Sequence, residues 1–282
     1  MTAPASVVYV AYGVDRLDLD WIPAETPVFV VHNDHRLPAQ TGRPGVTDLG
    51  DGTNLGFGAA INTALSHIQT PRVVLCNPDT RLEPDHFAAL VEAAETELVT
   101  IPLVEEDGVP NSVVNSYWNP PAYFFTARRL GRFAPRGGAL RRVVAPLLGG
   151  WGRNHTSSLA QHAGSWPLSE RWASAAVLSL PTDVLRSVGG FDDSFFLYYE
   201  DTDLQQRLAR ADSTLRLRLA DVAPGIHLVG GSAHDEIGGA AEVARHRRVS
   251  ARTYASRQGG LAWRIAAALV GSHRPATVQV DA

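Results

Sequence analysis

The stretch FFLYYEDTDL, residues 195–204, sets an aromatic and aliphatic run directly against three carboxylates, Glu200, Asp201 and Asp203. Two adjacent acids beside an apolar wall have their pKa values pushed apart, and one of them can then serve as a base. The commoner use of acids at such a place is to start a helix, where free backbone N–H groups and the helix dipole attract negative charge. The residues that follow do read as a helix: Leu204 and Leu208 are four apart, Ala211 continues their face, and Arg207 and Arg210 fall on the other side. Thr202 and Gln205 have the spacing of a T-x-x-Q capping box, a register that leaves Glu200 and Asp201 outside the helix. A further acid, Asp79, closes the run VVLCNPD. A carboxylate at a strand end can hold a divalent cation against a diphosphate, because hard cations take oxygen ligands and share them with phosphates. Asn77-Pro78-Asp79 is also an ordinary strand-ending turn. His227 closes another short apolar segment ahead of Gly230-Gly231-Ser232. The glycines of NLGFGAAIN, residues 54–62, allow either close packing or the approach of backbone to a ligand.

The elements that must position these residues alternate. SVVYVAYG (6–13), TPVFVVHND (26–34), RVVLCNPD (72–79) and ELVTIPLV (97–104) are β-branched runs bounded by turn residues, as buried parallel strands are. NLGFGAAINTALSHIQ (54–69) and PDHFAALVEAAETE (84–97) carry apolar residues at helical spacing. Such alternation predicts an α/β chain with a mostly parallel central sheet flanked by helices. Ligands of such sheets bind outside the C-terminal strand ends, which places His32, Asn33, Asp34, Asn77 and Asp79 on the functional rim. From 109 to 174 the pattern loosens into an irregular region containing Trp118, Trp151, Trp166 and Trp172. Arg128, Arg129, Arg132, Arg136, Arg141 and Arg142 fall there within fifteen residues that contain no acid. This is either a solvated face with scattered core aromatics or an acceptor-binding region, since aromatics stack on sugar rings and arginines hold phosphates. LRLRLADV (215–222) reads as one more strand. In the tail, Arg245, Arg247, Arg248, Arg252 and Arg257 precede the amphipathic LAWRIAAALV (261–270). A packed C-terminal helix with basic solubilising residues and a helix lying on an anionic membrane surface both fit.

The bulk properties exclude several classes. The chain has 282 residues, of which 45% are hydrophobic and 19% charged, with a formal net charge of −4. That balance gives no support to nucleic-acid binding. Its basic residues are all Arg, so lysine Schiff-base and P-loop chemistry are out. With Cys76 alone, no intrachain disulfide or thiolate zinc site can form, as expected of a reducing compartment. MTAPASVVYVAYG lacks the basic start of a signal peptide, and no run reaches the roughly 18–20 apolar residues of a membrane span. The expectation is a cytoplasmic protein, with the inner face of the membrane as a place of peripheral contact.

Taken in order, NLGFGAAINTAL, VVLCNPDT, SAAVLSLPTDVLRSVGGFDDSFFLYYEDTDL and IHLVGGS resemble the family 2 glycosyltransferases of GT-A fold, most closely their rhamnosyltransferase-like branch. The resemblance runs from about Val7 to about His234. It implies a GT-A domain over 1–235, with 109–174 on the acceptor side, and a helical tail over 236–282. It also implies inverting transfer of a sugar from a dTDP- or UDP-linked donor to an acceptor hydroxyl, with Mg²⁺ or Mn²⁺ as cofactor. Asp79 matches the last acid of the metal-holding motif, and Asn77 stands at the motif's first position. His227 matches the histidine that completes the metal site. Asp201 matches the catalytic base, with Glu200 its neighbour. Tyr12, His32, Asp34, Asn54, Gly56, Asn62, Ser174 and Ala175 fall where the family binds its donor, with Ala176 in the same small-residue block. Trp172 and Tyr199 fall on the acceptor side. His32 stands where the family usually has an acid that reads the nucleobase. Asp34 could replace that acid, and uridine and thymidine stay open, while the branch favours dTDP-L-rhamnose. The acceptor would be a glycan, a lipid-linked glycan or a natural product. Two other readings compete: a non-catalytic sugar-nucleotide or polysaccharide-binding module, and a sugar-nucleotide pyrophosphorylase, whose glycine-rich basic signature is missing near the N-terminus.

Overall fold

A computed structural model describes residues 3–40, 42–127, 162–228 and 240–271. The arginine cluster of 128–142, Trp151 and Gly230-Gly231-Ser232 lie outside the described residues. In chain order the elements are β1 (Ala5–Ala11), β2 (Val28–His32), β3 (Val46–Leu49), α1 (Phe57–Leu65), β4 (Arg72–Cys76), β5 (Thr80–Arg81), α2 (Pro84–Val91), β6 (Glu97–Thr100), β7 (Leu103–Val104) and β8 (Val114–Ser116). There follow α3 (Pro120–Ala127), β9 (Gly164–Pro167), β10 (Arg171–Ala173), β11 (Val177–Pro181), α4 (Thr182–Ser187), α5 (Glu200–Ala211), β12 (Arg216–Leu219), β13 (Gly225–His227), α6 (Ala240–Gln258) and α7 (Leu261–Gly271).

The central sheet has the order β3-β2-β1-β4-β11-β6-β12-β9. Strands β3, β2, β1 and β4 pair in parallel, β11 runs against both β4 and β6, and β9 runs against β12. The sheet is thus mostly parallel with two reversed strands. Near-continuous apolar residues, mostly Val, in β1, β2 and β4 follow from burial on both faces, and Val7, Val30, Val74 and Leu75 are fully buried. The chain lays β2 and β3 on one side of β1, then places β4 on the other. This reversal opens a crevice at the C-terminal ends of β1 and β4.

Several elements are shorter than their sequence patterns. The helix expected over 54–69 starts only at Phe57, because Asn33 takes the Leu55 N–H and Asn54 takes the Gly56 N–H. The run 97–104 divides at Pro102 into β6 and β7. The supposedly irregular 109–174 contains β8, α3, β9 and β10 among its described residues.

A second apolar cluster lies apart from the main core. Tyr123 of α3, Phe195, Tyr199, Ala251 and Tyr254 of α6, and Ala266 and Val270 of α7 bury one another, with Trp118 and Trp263 packed against them. The aromatic run before α5 therefore packs Phe195 and Tyr199 onto the C-terminal helices. It does not join α5 to the sheet. Leu204 and Leu208 make that sheet-side contact instead, in the main core.

Candidate active site

The loop after β1 and the turn after β4 enclose a cleft of about 590 Å³, lined by Gly13 to Asp18, Asp20, Pro78 to Arg81 and Leu228. The loop is fixed by Asp34, whose carboxylate accepts the Gly13 N–H at 2.6 Å and the Arg36 N–H at 3.1 Å. Half-buried Tyr12 precedes it. Asp34 thus serves backbone. His32 meets Asp48 of β3 at 2.6 Å.

The Asn77-Pro78-Asp79 turn is anchored from both sides. The Asn77 N–H donates to the Ala176 carbonyl at 2.7 Å, while its own carbonyl accepts the Thr80 hydroxyl at 2.7 Å. Strand β13 pairs His227 with Thr80, and Leu228 donates its N–H to the Asp79 carbonyl at 2.9 Å. These ladder contacts bring Asp79 Oδ1 to 3.3 Å from His227 Nε2, with Asp79 only 8% exposed. That oxygen is buried and has no hydrogen-bond partner. An unsatisfied buried carboxylate oxygen needs explanation, and a cation is the natural one. A hard oxygen beside an imidazole suits Mn²⁺ or Mg²⁺, whose other positions would fall to phosphate and water. Among the described residues no cluster of three or more His, Cys, Asp or Glu could hold an ion without such help.

The second acid site is built differently. Helix α5 begins at Glu200, with Tyr199 as N-cap and no side-chain cap bond, so Glu200 and Asp201 lie within its first turn. The capping box expected from Thr202 and Gln205 does not form. Asp201 Oδ1 takes the Thr202 N–H at 2.7 Å, and Gln205 is claimed by Ala173 of β10, whose N–H and carbonyl it engages at 2.8 and 2.7 Å. Gln205 is fully buried; its amide also donates to the Asp201 carbonyl at 3.0 Å, while its oxygen goes to the Ala173 N–H on the strand edge. The other Asp201 oxygen accepts the Ala175 N–H at 3.4 Å.

Burial drives both acids upward. Desolvation pushes Asp201 up to about 6 against the hydrogen bonds from Thr202 and Ala175. Desolvation first, and the neighbouring Asp201 second, push Glu200 well above the usual carboxylate range. Glu200 Oε2 is buried without a partner. Just ahead of them, Tyr198 and Tyr199 hold φ values of 67° and 71°. Two successive non-glycine residues in the left-handed region store strain of order 1–3 kcal/mol each, which their packing must hold in place. Trp118 does so for Tyr199, with ring centroids 5.0 Å apart, and it also meets Trp172 at 5.4 Å. Trp172 Nε1 donates to the Ser116 carbonyl at 3.3 Å.

The two acid sites share one strand start. Ala176 receives the Asn77 N–H, Ala175 gives its N–H to Asp201, and Val177 opens β11 beside Cys76 at the end of β4. Ser174 caps the same segment, its hydroxyl accepting the Ala176 N–H at 3.3 Å. Asp201 itself does not line the cleft that holds Asp79.

Other expected donor residues shape loops. Asn54 accepts from the Asn33 amide at 3.0 Å. Gly56, at φ 81°, allows the carbonyl of Phe196 to come where a Cβ would stand 2.3 Å away, and Phe57 donates its N–H to that carbonyl. Asn62 spends its amide on Phe191 O, Phe191 N–H and Asp193. These contacts hold the 191–196 loop on α1.

Sequence reasoning missed the use of Asp203. It is 4% exposed and takes Arg207 Nε at 2.8 Å and Arg257 of α6 at 3.1 Å. The i,i+4 spacing of Asp203 and Arg207 was a readable signal. Arg257 gave none, being 54 residues away.

A family model, glycosyl transferase family 2, matches residues 37–140. The span contains Asn54, Asn77 and Asp79 and ends before Asp201. Over 182 residues the chain is 28% identical to the N-acetylglucosaminyl-diphospho-decaprenol L-rhamnosyltransferase of Mycobacterium tuberculosis, in strains CDC 1551 / Oshkosh and ATCC 25618 / H37Rv, covering 60% of this chain and 54% of the relative. The chain therefore spans about half the length of the curated relatives it matches. The crystal structure of GalNAc-T7 with UDP, GalNAc and Mn²⁺ matches with a TM-score of 0.50 at 10% identity, over 91% of this chain and 51% of that one. At such identity the likeness speaks for the fold alone. The chain has a GT-A fold, is similar to the family 2 glycosyltransferases over residues 37–140, and is similar to a rhamnosyltransferase over 182 residues.

Proposed function

We propose that this chain is an inverting glycosyltransferase that moves a sugar from a nucleotide-diphosphate donor to an acceptor hydroxyl. Asp201 is the general base, Glu200 its protonated neighbour, and Asp79 with His227 the cation-holding pair on the diphosphate. The observation that carries the reading is the pair of unlike acid sites tied to residues 175–177: one buried oxygen without a partner beside a histidine, and one carboxyl raised by burial.

Asp201 takes the proton of the attacking hydroxyl as the new oxygen–carbon bond forms and the carbon–oxygen bond to the diphosphate breaks. The diphosphate leaves with the bonding pair. A base poised near the working pH suits this task, and at Glu200 burial first and Asp201 second disfavour a second negative charge beside it. The hydrogen bonds from Thr202 and Ala175 fix the carboxylate's orientation. When bound, Mg²⁺ or Mn²⁺ neutralises the departing diphosphate. Arg16 and Arg81 line the same cleft and offer further positive charge to phosphate. Tyr12, His32, Asp34, Asn54, Gly56, Asn62, Asn77, Ser174 and Ala175 bound or brace the donor side, and Trp172 and Tyr199 the acceptor side.

The relative's name supports L-rhamnose as the sugar transferred and a lipid-carried glycan as acceptor; with a dTDP-linked donor, the proposed place is cell-wall or polysaccharide assembly at the inner membrane face. The GT-A domain would cover 1–235 and the helical tail 236–282.

A thermal-shift screen of nucleotide sugars with and without Mn²⁺ tests the reading, because a ligand at a hundred times its Kd stabilises by about 2.7 kcal/mol. The expected result is a shift with a dTDP- or UDP-sugar that needs the metal, with slow release of nucleoside diphosphate. No shift with any nucleotide sugar overturns it. A shift without release makes the chain a binding module, and nucleoside triphosphate formed on adding pyrophosphate makes it a pyrophosphorylase.

A further inference from the structure

Helix α7 is apolar on both faces. Ala266 and Val270 are buried in the second cluster, with Trp263 and Ala267 packed against it. Leu261, Ile265 and Leu269, spaced four apart on the opposite side, are 73%, 52% and 47% exposed. Ala262 and Ala268 extend that exposed face, and Arg264 edges it as its one polar residue. A helix apolar all round belongs in an apolar surrounding, and half of this one has none among the described residues.

Charge singles out the occupant. No acid occurs between Glu242 and Val280. On α6, Arg245, Arg248, Val249 and Arg252 share a face by helical spacing, and Val249 is 48% exposed. Arg245 pairs with Glu242, whereas Arg248, Arg252 and Arg264 have no acidic partner among the described residues. Arginines with no acidic partner among the described residues, carried on α7 and on the helix packed against it, together with an exposed aliphatic face match anionic headgroups over acyl chains. At eleven residues α7 is about 16 Å long, and no described helix is long and apolar enough to cross a membrane, so it would lie in the interface plane. Three aliphatic side chains fall well short of the roughly 800 Å² per partner of a stable protein interface.

We propose that the exposed face of α7, together with Arg264 and with Arg248 and Arg252 of the adjoining α6, docks this protein on an anionic lipid surface. Such docking deepens the reading of a lipid-carried acceptor and takes its biological sense from that reading. Lipid binding and donor hydrolysis are measured separately, so each can fail alone.

The test is co-sedimentation of the full chain with phosphatidylcholine vesicles with and without phosphatidylglycerol, at low and high salt, for wild type and two variants. In one, Leu261, Ile265 and Leu269 become Gln; in the other, Arg248, Arg252 and Arg264 become Gln. All six positions lie outside the donor cleft, and glutamine is a good helix former, so unchanged melting and Mn²⁺-dependent nucleotide binding show that the variants fold. The wild type is expected to bind anionic vesicles at least tenfold more tightly than neutral ones. The Leu/Ile variant should lose at least tenfold on anionic vesicles, and the Arg variant should lose the anionic preference and its salt sensitivity. No wild-type binding, or equal binding by the folded Leu/Ile variant, overturns the proposal. A wild-type dimer abolished by the same variant would also overturn it and assign the stripe to a second copy.

Discussion

Asp79 stands where a strand runs out into a loop, beside an open cleft, with a histidine brought to it by a short ladder and one oxygen unused. Asp201 stands inside the first turn of a helix, half-buried, with both oxygens engaged and an aromatic wall beside it. Each construction suits a different task. A group that shares a cation with an incoming diphosphate must face the cleft with a lone pair in reserve. A group that takes a proton gains from desolvation that raises its pKa, and from hydrogen bonds that stop the shift from running too far. The third acid, Asp203, is more deeply buried and meets two arginines, and it clasps α6 to α5. These three carboxylates, two of them only two residues apart, thus stand in unlike surroundings because their neighbours differ.

The largest expected effect breaks this contrast at its buried end. Asp201→Asn should lower sugar transfer, or donor hydrolysis in the absence of acceptor, by roughly a hundredfold or more while leaving Mn²⁺-dependent donor binding intact, as rate assays beside calorimetry will read. A smaller change follows from pH. Because the base must be ionised and burial raises it, activity should fall about tenfold per unit as pH drops below about 6, and residual Asp201→Asn activity should lack that limb.

Stability sharpens the same point with the opposite sign. An acid whose folded pKa lies above its unfolded value holds its proton longer in the native state, so stability falls as pH rises from the unfolded to the folded value and the full cost stands above the latter. Asp201→Asn should thus raise stability at pH 8 by roughly 2–3 kcal/mol, at about 1.4 kcal/mol per pKa unit, and by little near pH 3. Denaturant melts at the two pH values check it, and a loss at pH 8 would mean the carboxylate is better solvated than its burial implies. The smallest effect concerns the clasp. Arg257 is one-third exposed, so Arg257→Ala should cost only about 1 kcal/mol in melting, with a few-fold drop in hydrolysis as α5 loosens. Unchanged melting and turnover would leave Asp203 and Arg207 sufficient by themselves.

Much of the frame was legible because it rests on strong local patterns. The buried β-branched runs of β1, β2 and β4 and the Leu204/Leu208 spacing of α5 carry their structure in their own composition. Strand β3, with two polar residues in four, and the two-residue β5 and β7 carry almost no such signal and form because neighbours offer an edge. The acids at 79, 200 and 201 could be singled out by order and type. Their surroundings could not: the capping box had the right letters, yet Ala173 outbid it for Gln205. Likewise Asp34 and Asn62 carry donor-like identities but serve loop backbones at close range. Such long-range competition for hydrogen bonds is invisible in a single sequence.

The division of labour between the two acid sites is tested most directly by titrating dTDP and UDP into wild type, Asp79→Asn and Asp201→Asn, each with and without Mn²⁺. The account predicts that Mn²⁺ tightens nucleotide binding at least tenfold in wild type and Asp201→Asn, and that Asp79→Asn loses this gain. Metal-independent binding in wild type, or equal loss in both variants, would contradict it.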